Sequence, residues 1–240
     1  MKTKLFFTAL IISLSTGIVL TSCEEFFDSE LTEAEVIEGL KEALVVGASN
    51  SVVKANATDG YYAHDFIKIP FPPEAETAKQ VMIDYLGLEE TVNDFIRELN
   101  RSAEHAAIQA KPIFVNAITE ITFEDAWDIL YGEDNAASNY LHLKTFDNLF
   151  TAFSPDISNS LETIGASQTW ETLANAYNQY AIYSPIHETI NTDLGEYATG
   201  KALDGLFFLI EEEELKIRTD ASARISEILQ RVFGEQDDDF

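Results

Sequence analysis

This 240-residue chain has one cysteine, fifteen lysines and arginines, six prolines and eleven glycines. Each shortage excludes something. A lone thiol, Cys23, cannot form an intramolecular disulfide, so no disulfide scaffold holds this fold. The scarcity of cations, fifteen against 42 acids for a formal net charge of −27, argues against nucleic acid, because phosphate binding requires a basic patch that releases counterions. No long stretch alternates apolar and polar residues with period two, and no segment repeats, which removes the signatures of β-sheets and of repeat arrays. A serine-nucleophile elbow, HExxH, an EF-hand loop and a glycine-rich phosphate loop are also missing. His64, His105, His142 and His187 stand far apart with no partner at helical spacing, so no metal ligand set is evident and no cofactor is expected. What the chain does have is apolar mass: 46% hydrophobic residues, with 16 Phe, 9 Tyr and 2 Trp, far above an acidic disordered segment. A folded core under an acidic surface follows.

The N-terminus reads as an address. Lys2 and Lys4 precede an apolar stretch from Leu5 to Leu20, and Leu20-Thr21-Ser22-Cys23 fits the lipobox at which a bacterial lipoprotein leader is cleaved. Sixteen residues with five Ser, Thr or Gly among them are short for a membrane span of about 20. Residues 1–22 are therefore expected to be a signal peptide, Cys23 the lipidated residue carrying diacylglycerol and palmitate-type chains, and 23–30 a tether, with more than one acyl chain giving stable anchoring. The processed chain would keep 218 residues, 42 acidic and 13 basic, net −29. Glu24 follows Cys23 where an inner-membrane retention signal would place aspartate, so the expected location is the outer membrane, in the periplasmic leaflet or at the cell surface.

The remainder, 31–234, predicts a single all-α domain of about eight to ten helices, closed by a short acidic tail at 235–240. Thr32 and Glu35 form a capping box ahead of Val36, Ile37, Leu40 and Leu44. A helix is expected from Glu74 to Leu86. The next runs from about Glu89 to Ala110, with Val92, Phe95, Ile96, Leu99, Ala103 and Ala106 on one stripe. Pro112 starts or kinks a further segment. Thr122 with Asp125 predicts a second cap, and Asp134 or Asn135 a third. Ser154-Pro155 predicts a helix start, with proline in the first turn. Asp193 is expected to open the C-terminal helices and Asp220 to cap the last. Between Phe66 and Pro73 the prolines forbid a continuous helix and predict an extended strap laid on the core.

These residues resemble the bacterial family called domain of unknown function 4197. Asn100-Arg101-Ser102-Ala103-Glu104 is similar to its Asn-Arg-Ala-Ala-Glu motif. Further matches are Ile67–Pro70, Asp125-Ala126, Gly132 with Ala136-Ala137 and Tyr140, Asp193-Leu194, Tyr197, Thr199, the run Lys201-Ala202-Leu203-Asp204-Gly205-Leu206-Phe207, Glu212-Glu213, Ile217-Arg218, and Leu229 with Val232-Phe233-Gly234. The departures are mild: Ser102, Ser138 and Ala221. The resemblance spans Leu31 to Gly234 and implies an exported helical protein, without implying an activity.

Two polar groups are candidates for chemistry. Asn100, Arg101 and Glu104 share a helix face, where Arg101 could hold an anion and Glu104 act as a base, or where all three could fix helix register. Asp204, Glu213 and Arg218 form a second group beside the Glu211–Glu214 charge run, which reads more simply as a solvated face carrying Glu212–Lys216 and Glu214–Arg218 pairs. A cross-helix pairing of Arg101 or Arg218 with Glu104 or Glu213 is expected. The tyrosines and phenylalanines around the strap (Tyr61, Tyr62, Phe66, Phe71) and at Tyr177, Tyr180 and Tyr183 read as packing, or as an apolar ligand pocket. The expected function is a lipid-anchored envelope protein that binds or scaffolds. Its partners would be the membrane, through the anchor, and an envelope protein or apolar ligand. The alternatives are a hydrolase or lyase using Glu104 and Arg101, or a lipid carrier. No catalytic residue is assigned.

Overall fold

In the computed structural model residues 31–190 and 193–235 are described; the leader, Cys23, the tether and the tail beyond Glu235 lie outside them. Helix α1 (Glu33–Asn56) starts at the capping box. The Thr32 hydroxyl accepts from the Glu35 amide at 3.3 Å, and the Thr32 amide donates back to the Glu35 carboxylate at 2.9 Å. A turn over 57–63 and the strap follow. A 3-10 turn (Pro73–Ala75) then leads into α2 (Glu76–Asp84). Helix α3 (Glu89–Ala106) buries Val92, Phe95, Leu99, Ala103 and Ala106, the stripe its 3.6-residue period requires. It tightens into a 3-10 turn (Ala107–Gln109) and resumes as α4 (Ala110–Thr119), so Pro112 sits in a first turn and no long helix extends through 110. Helix α5 (Phe123–Leu130) opens at a second capping box, Thr122 with Asp125.

Helix α6 departs from expectation. It runs unbroken from Ala136 to Thr163 with Pro155 inside it. The Ser154 hydroxyl does not cap a new helix but donates to the Phe150 carbonyl one turn back, at 2.7 Å. Leu149, Phe153, Ile157 and Leu161 are buried on both sides of the proline, and that continuous packed stripe holds the helix together where local preference would end it. Helix α7 (Ala166–Ala181) and α8 (Leu194–Thr219) follow. Asp193 caps α8 as expected. Asp220 caps only a 3-10 turn (Ala221–Ala223), and Ser226 takes over the last helix, α9 (Glu227–Gly234). Nine α-helices and no strand are found among the described residues, which form one unit. The fold is all-α.

Helix α8 is the central post. It packs on α1 and α6, and its buried residues face nearly all round: Ala198, Ala202, Leu203, Leu206, Phe207, Leu209, Ile210, Ile217. Helices α4, α5 and α9 lean on α1, and α3 bridges α6 and α7. The strap seals one side, with Ile67, Ile69 and Phe71 all buried. Phe71 enters an aromatic cluster with Phe95 and Trp170, ring centroids 5.3–5.5 Å apart.

Candidate functional site

Asn100 is fully buried on α3 and clamps the strap. Its Oδ1 accepts from the Ile69 amide and its Nδ2 donates to the Ile69 carbonyl, both at 2.8 Å, so one side-chain amide pairs with backbone as a neighbouring strand would. Nδ2 also donates to the Ile96 carbonyl at 2.7 Å. Glu104, one turn on and 4% exposed, holds the turn after α1. Its Oε1 accepts from the Tyr61 and Tyr62 amides at 3.2 Å each, and its Oε2 from Arg101 Nη1 at 2.5 Å. Arg101 continues to Asp59 at 2.6 Å. Those two carboxylates hold its guanidinium above its usual range, the Glu104 hydrogen bond contributing most. The turn needs its sequence. Asp59 adopts φ 65°, and a Cβ on Gly60 would lie 2.2 Å from the Lys54 carbonyl. Glycine is required at 60 and a residue tolerant of the left-handed region at 59, and Glu104 and Arg101 lock the turn from α3.

Tyr61 links this latch to the Lys201–Phe207 run. Its ring is buried and its hydroxyl donates to the Ala202 carbonyl at 2.6 Å. A Cβ on Gly205 would come within 2.7 Å of that ring, so the glycine makes room for it. Burial, with Glu104 and Asp204 nearby, pushes the phenol far above the ordinary tyrosine range, so it stays protonated and donating. Asp204 itself lies on the surface in an exposed pair with Lys201, 2.9 Å, remote in role from Glu213 and Arg218.

The charge run on α8 is not a solvated face. Glu213 and Glu214 are buried and point to different neighbours. Glu213 reaches α1, accepting from Lys54, from Asn50 at 2.8 Å, and from Lys216 at 2.9 Å. Burial alone would raise its carboxyl; the bonds from Lys54, Asn50 and Lys216 reverse that and hold it at about 2. Lys216 pairs with Glu213, three residues away, rather than with Glu212. Glu214 caps α6 from outside, accepting from the Ala137 amide at 2.9 Å, the Ser138 amide at 2.8 Å and the Ser138 hydroxyl at 2.7 Å. Asn135, the residue at the cap position, makes no side-chain bond to the free amides of the first turn. Arg218 pairs with Glu214 at 2.9 Å and donates to the last carbonyls of α5, Ile129 at 2.7 Å and Leu130 at 3.1 Å. A buried ion pair thus joins two helix ends, anion at the amino-terminal dipole and cation at the carboxyl-terminal one. Arg224 finishes α8 in the same manner, donating to the Ile217 and Arg218 carbonyls.

The expected cross-helix pairing takes another form. Arg101–Glu104 and Arg218–Glu214 are each within one helix, and the cross-helix carboxylate Glu213 takes a lysine. The six candidates do not converge on one site: Asn100, Arg101 and Glu104 lie together, Arg218 and Glu213 serve different junctions, and Asp204 is outside. The expected Glu214–Arg218 pair forms, buried rather than solvated; sequence reasoning missed its helix-capping role, the parts of Lys54 and Asn50, the Tyr61 hydroxyl bond, and the His105–Ser160 hydrogen bond (2.8 Å) between α3 and α6. Only Tyr61 left a signal, in the glycine its ring requires at 205.

The apolar cavity among Leu40, Ala43, Leu44, Gly47, Ile210, Ile217 and Phe233, beside the Glu214–Arg218 pair, measures about 20 Å³, room for one water. A larger open groove of about 400 Å³ between α4, α5 and α6 is lined mainly by polar side chains, among them Asn116, Glu120, Asp125, Lys144 and Asn148. Of the expected pocket aromatics, Tyr61, Phe71 and Tyr177 are core, while Phe66 and Tyr183 face solvent. Among the described residues no group of three or more His, Cys, Asp or Glu side chains is placed to hold a metal ion, and no helix is long and apolar enough to cross a membrane.

These features define a class: an all-α domain whose buried polar side chains cap helices and fasten an extended strap. The chain belongs to the family described as protein of unknown function (DUF4197), whose sequence model matches residues 30–234. No curated protein and no solved structure matches it.

Proposed function

We propose that this is a lipid-anchored protein of the bacterial envelope whose helical domain binds or scaffolds a partner without catalysing a reaction. Lipidation at Cys23 and an outer-membrane address are supported by the charged, apolar, Leu-Thr-Ser-Cys leader. The observation that carries the binding reading is the state of Glu104. Both its oxygens are engaged, Oε1 by the Tyr61 and Tyr62 amides and Oε2 by Arg101, and it is buried, which is the environment of a fastening rather than of a base presented to substrate. The family's motif is thereby accounted for as a fastening, which weighs against a hydrolase or lyase built on Glu104 and Arg101. The water-sized apolar cavity weighs against an enclosed lipid carrier, since even a small ligand site occupies about 300 Å³.

Two measurements test the reading. Growth with an alkyne-bearing palmitate should label the wild-type chain and not Cys23→Ser. Native mass spectrometry of the protein purified from its own envelope should show a bound protein; a bare monomer would overturn the binding reading.

A further inference from the structure

Helix α5 turns two faces in opposite directions. Ala126, Ile129 and Leu130 are buried against the domain. On the outward side Phe123, Trp127 and Tyr131 form a continuous aromatic row, with ring centroids 5.8 Å and 4.4 Å apart. Trp127 is 45% exposed and Tyr131 50%. The other tryptophan, Trp170, is 7% exposed in the core cluster. Beside this row stand Glu124 and Asp128, exposed, four residues apart, and without a hydrogen bond or ion pair among the described residues. Like charges at that spacing oppose the helix that carries them.

Among the described residues, Lys41, Lys144 and Arg218 on the helices around α5 are engaged with other groups. Lys41 donates to the Thr119 carbonyl, Lys144 lies over the Tyr140 ring, and Arg218 is buried beneath α5 on the Ile129 and Leu130 carbonyls. From residue 112 to 143 the sequence has no lysine or arginine at all. An exposed indole flanked by unpaired carboxylates is complementary to one chemistry: a guanidinium or ammonium that lies on the ring face while its N–H groups meet the acids.

We propose that the outward face of α5 docks an arginine- or lysine-bearing segment of a partner protein, with Trp127 as its platform and Glu124 and Asp128 as its charge partners. The proposal rests on the binding reading above and names the surface and partner chemistry for it. Aromatic residues at the centre of an interface commonly carry most of the binding energy, and arginine is their frequent counterpart.

The test uses the full lipidated chain in detergent and a fluorescein-labelled peptide alternating arginine and leucine, read by anisotropy, with tryptophan emission reporting contact at Trp127. Saturable binding with a change in emission is expected, and the change should vanish in Trp127→Phe, where only Trp170 remains. Trp127→Ala and the pair Glu124→Gln with Asp128→Asn should each weaken binding at least tenfold while the domain still melts cooperatively well above the assay temperature. Asp147→Asn with Glu162→Gln removes the same charge from exposed positions on α6 and should weaken it less than twofold. Equal losses from both charge pairs would mean a diffuse attraction to an acidic protein and would overturn the proposal. So would an emission change produced by zwitterionic lipid vesicles and not by the peptide. If a partner co-purifies from the envelope and Trp127→Ala retains it, this surface is wrong while the binding reading stands. Absence of any partner sinks that reading instead.

Discussion

Glu213 ties the stability of this protein to the ionisation of a buried carboxylate. Its pKa is depressed in the folded state to about 2, against about 4.3 in an unfolded chain. A depressed carboxyl stabilises the fold fully above the unfolded value, and that contribution disappears as pH falls from about 4.3 through 2. With the Lys54 and Lys216 side chains partly open to solvent, it is worth about 1–2 kcal/mol. Denaturant unfolding at pH 7 and pH 3 should therefore show a smaller loss in Glu213→Gln than in wild type; an identical loss would remove Glu213 from the account. Asn100 is the other position where one side chain holds much. Asn100→Ala leaves the Ile69 amide and carbonyl buried without partners, and about 2–4 kcal/mol should be lost. Hydrogen exchange at the Ile69 amide should become fast in that variant before the rest of the domain opens. Sequence marked Asn100, Arg101 and Glu104 as a group because spacing alone puts them on one face. It could not show that Asn100 and Glu104 bind main-chain atoms of the strap and turn, because backbone groups carry no residue-specific signature.

The helix ends tell a similar story. Thr32, Thr122 and Asp193 cap the helices that follow them, and these were legible because cap and helix are adjacent in sequence. The α5–α6 junction was not legible, because its caps come from Glu214 and Arg218, some 76 to 89 residues further along. Pro155 misled for a related reason: a local stop signal was overridden by packing on both sides of it. The Glu214–Arg218 pair also makes a sharp prediction. Replacing a buried ion pair with apolar residues is often neutral. Here Glu214→Met with Arg218→Met should instead cost about 2–4 kcal/mol, because the amides of Ala137 and Ser138 and the carbonyls of Ile129 and Leu130 lose their partners too. Urea titration decides it, and a double variant as stable as wild type would show that the helix ends find other partners. At the close contact between α8 and the turn, Gly205→Ala should destabilise by about 1–3 kcal/mol through its clash with the Tyr61 ring.

For the molecule as a unit, acidity and architecture are almost independent. The described ion pairs draw on most of the scarce cations, and Lys54, Arg101, Arg218 and Arg224 all work at junctions. The remaining acids repel one another across the surface. Salt should relieve that repulsion, raising the melting temperature by about 2–4 °C between low and physiological ionic strength, roughly 1 kcal/mol for a domain of this size. A fall on adding salt would mean that the junction pairs outweigh the surface. The all-α class was readable because helical periodicity and capping signals recur along the chain. The division of labour among the charges was not, since composition counts them without saying which are buried.

The first and last helices are fastened together: Arg231 meets Glu35 at 2.7 Å, and a Cβ on Gly39 would strike Val232. The fold is therefore a closed circuit whose opening happens to fall between α9 and α1. A circular permutant that joins Gly234 to Leu31 through a short linker, and is cut in the exposed stretch Ile182–Ile186, should keep every helix contact described above and fold.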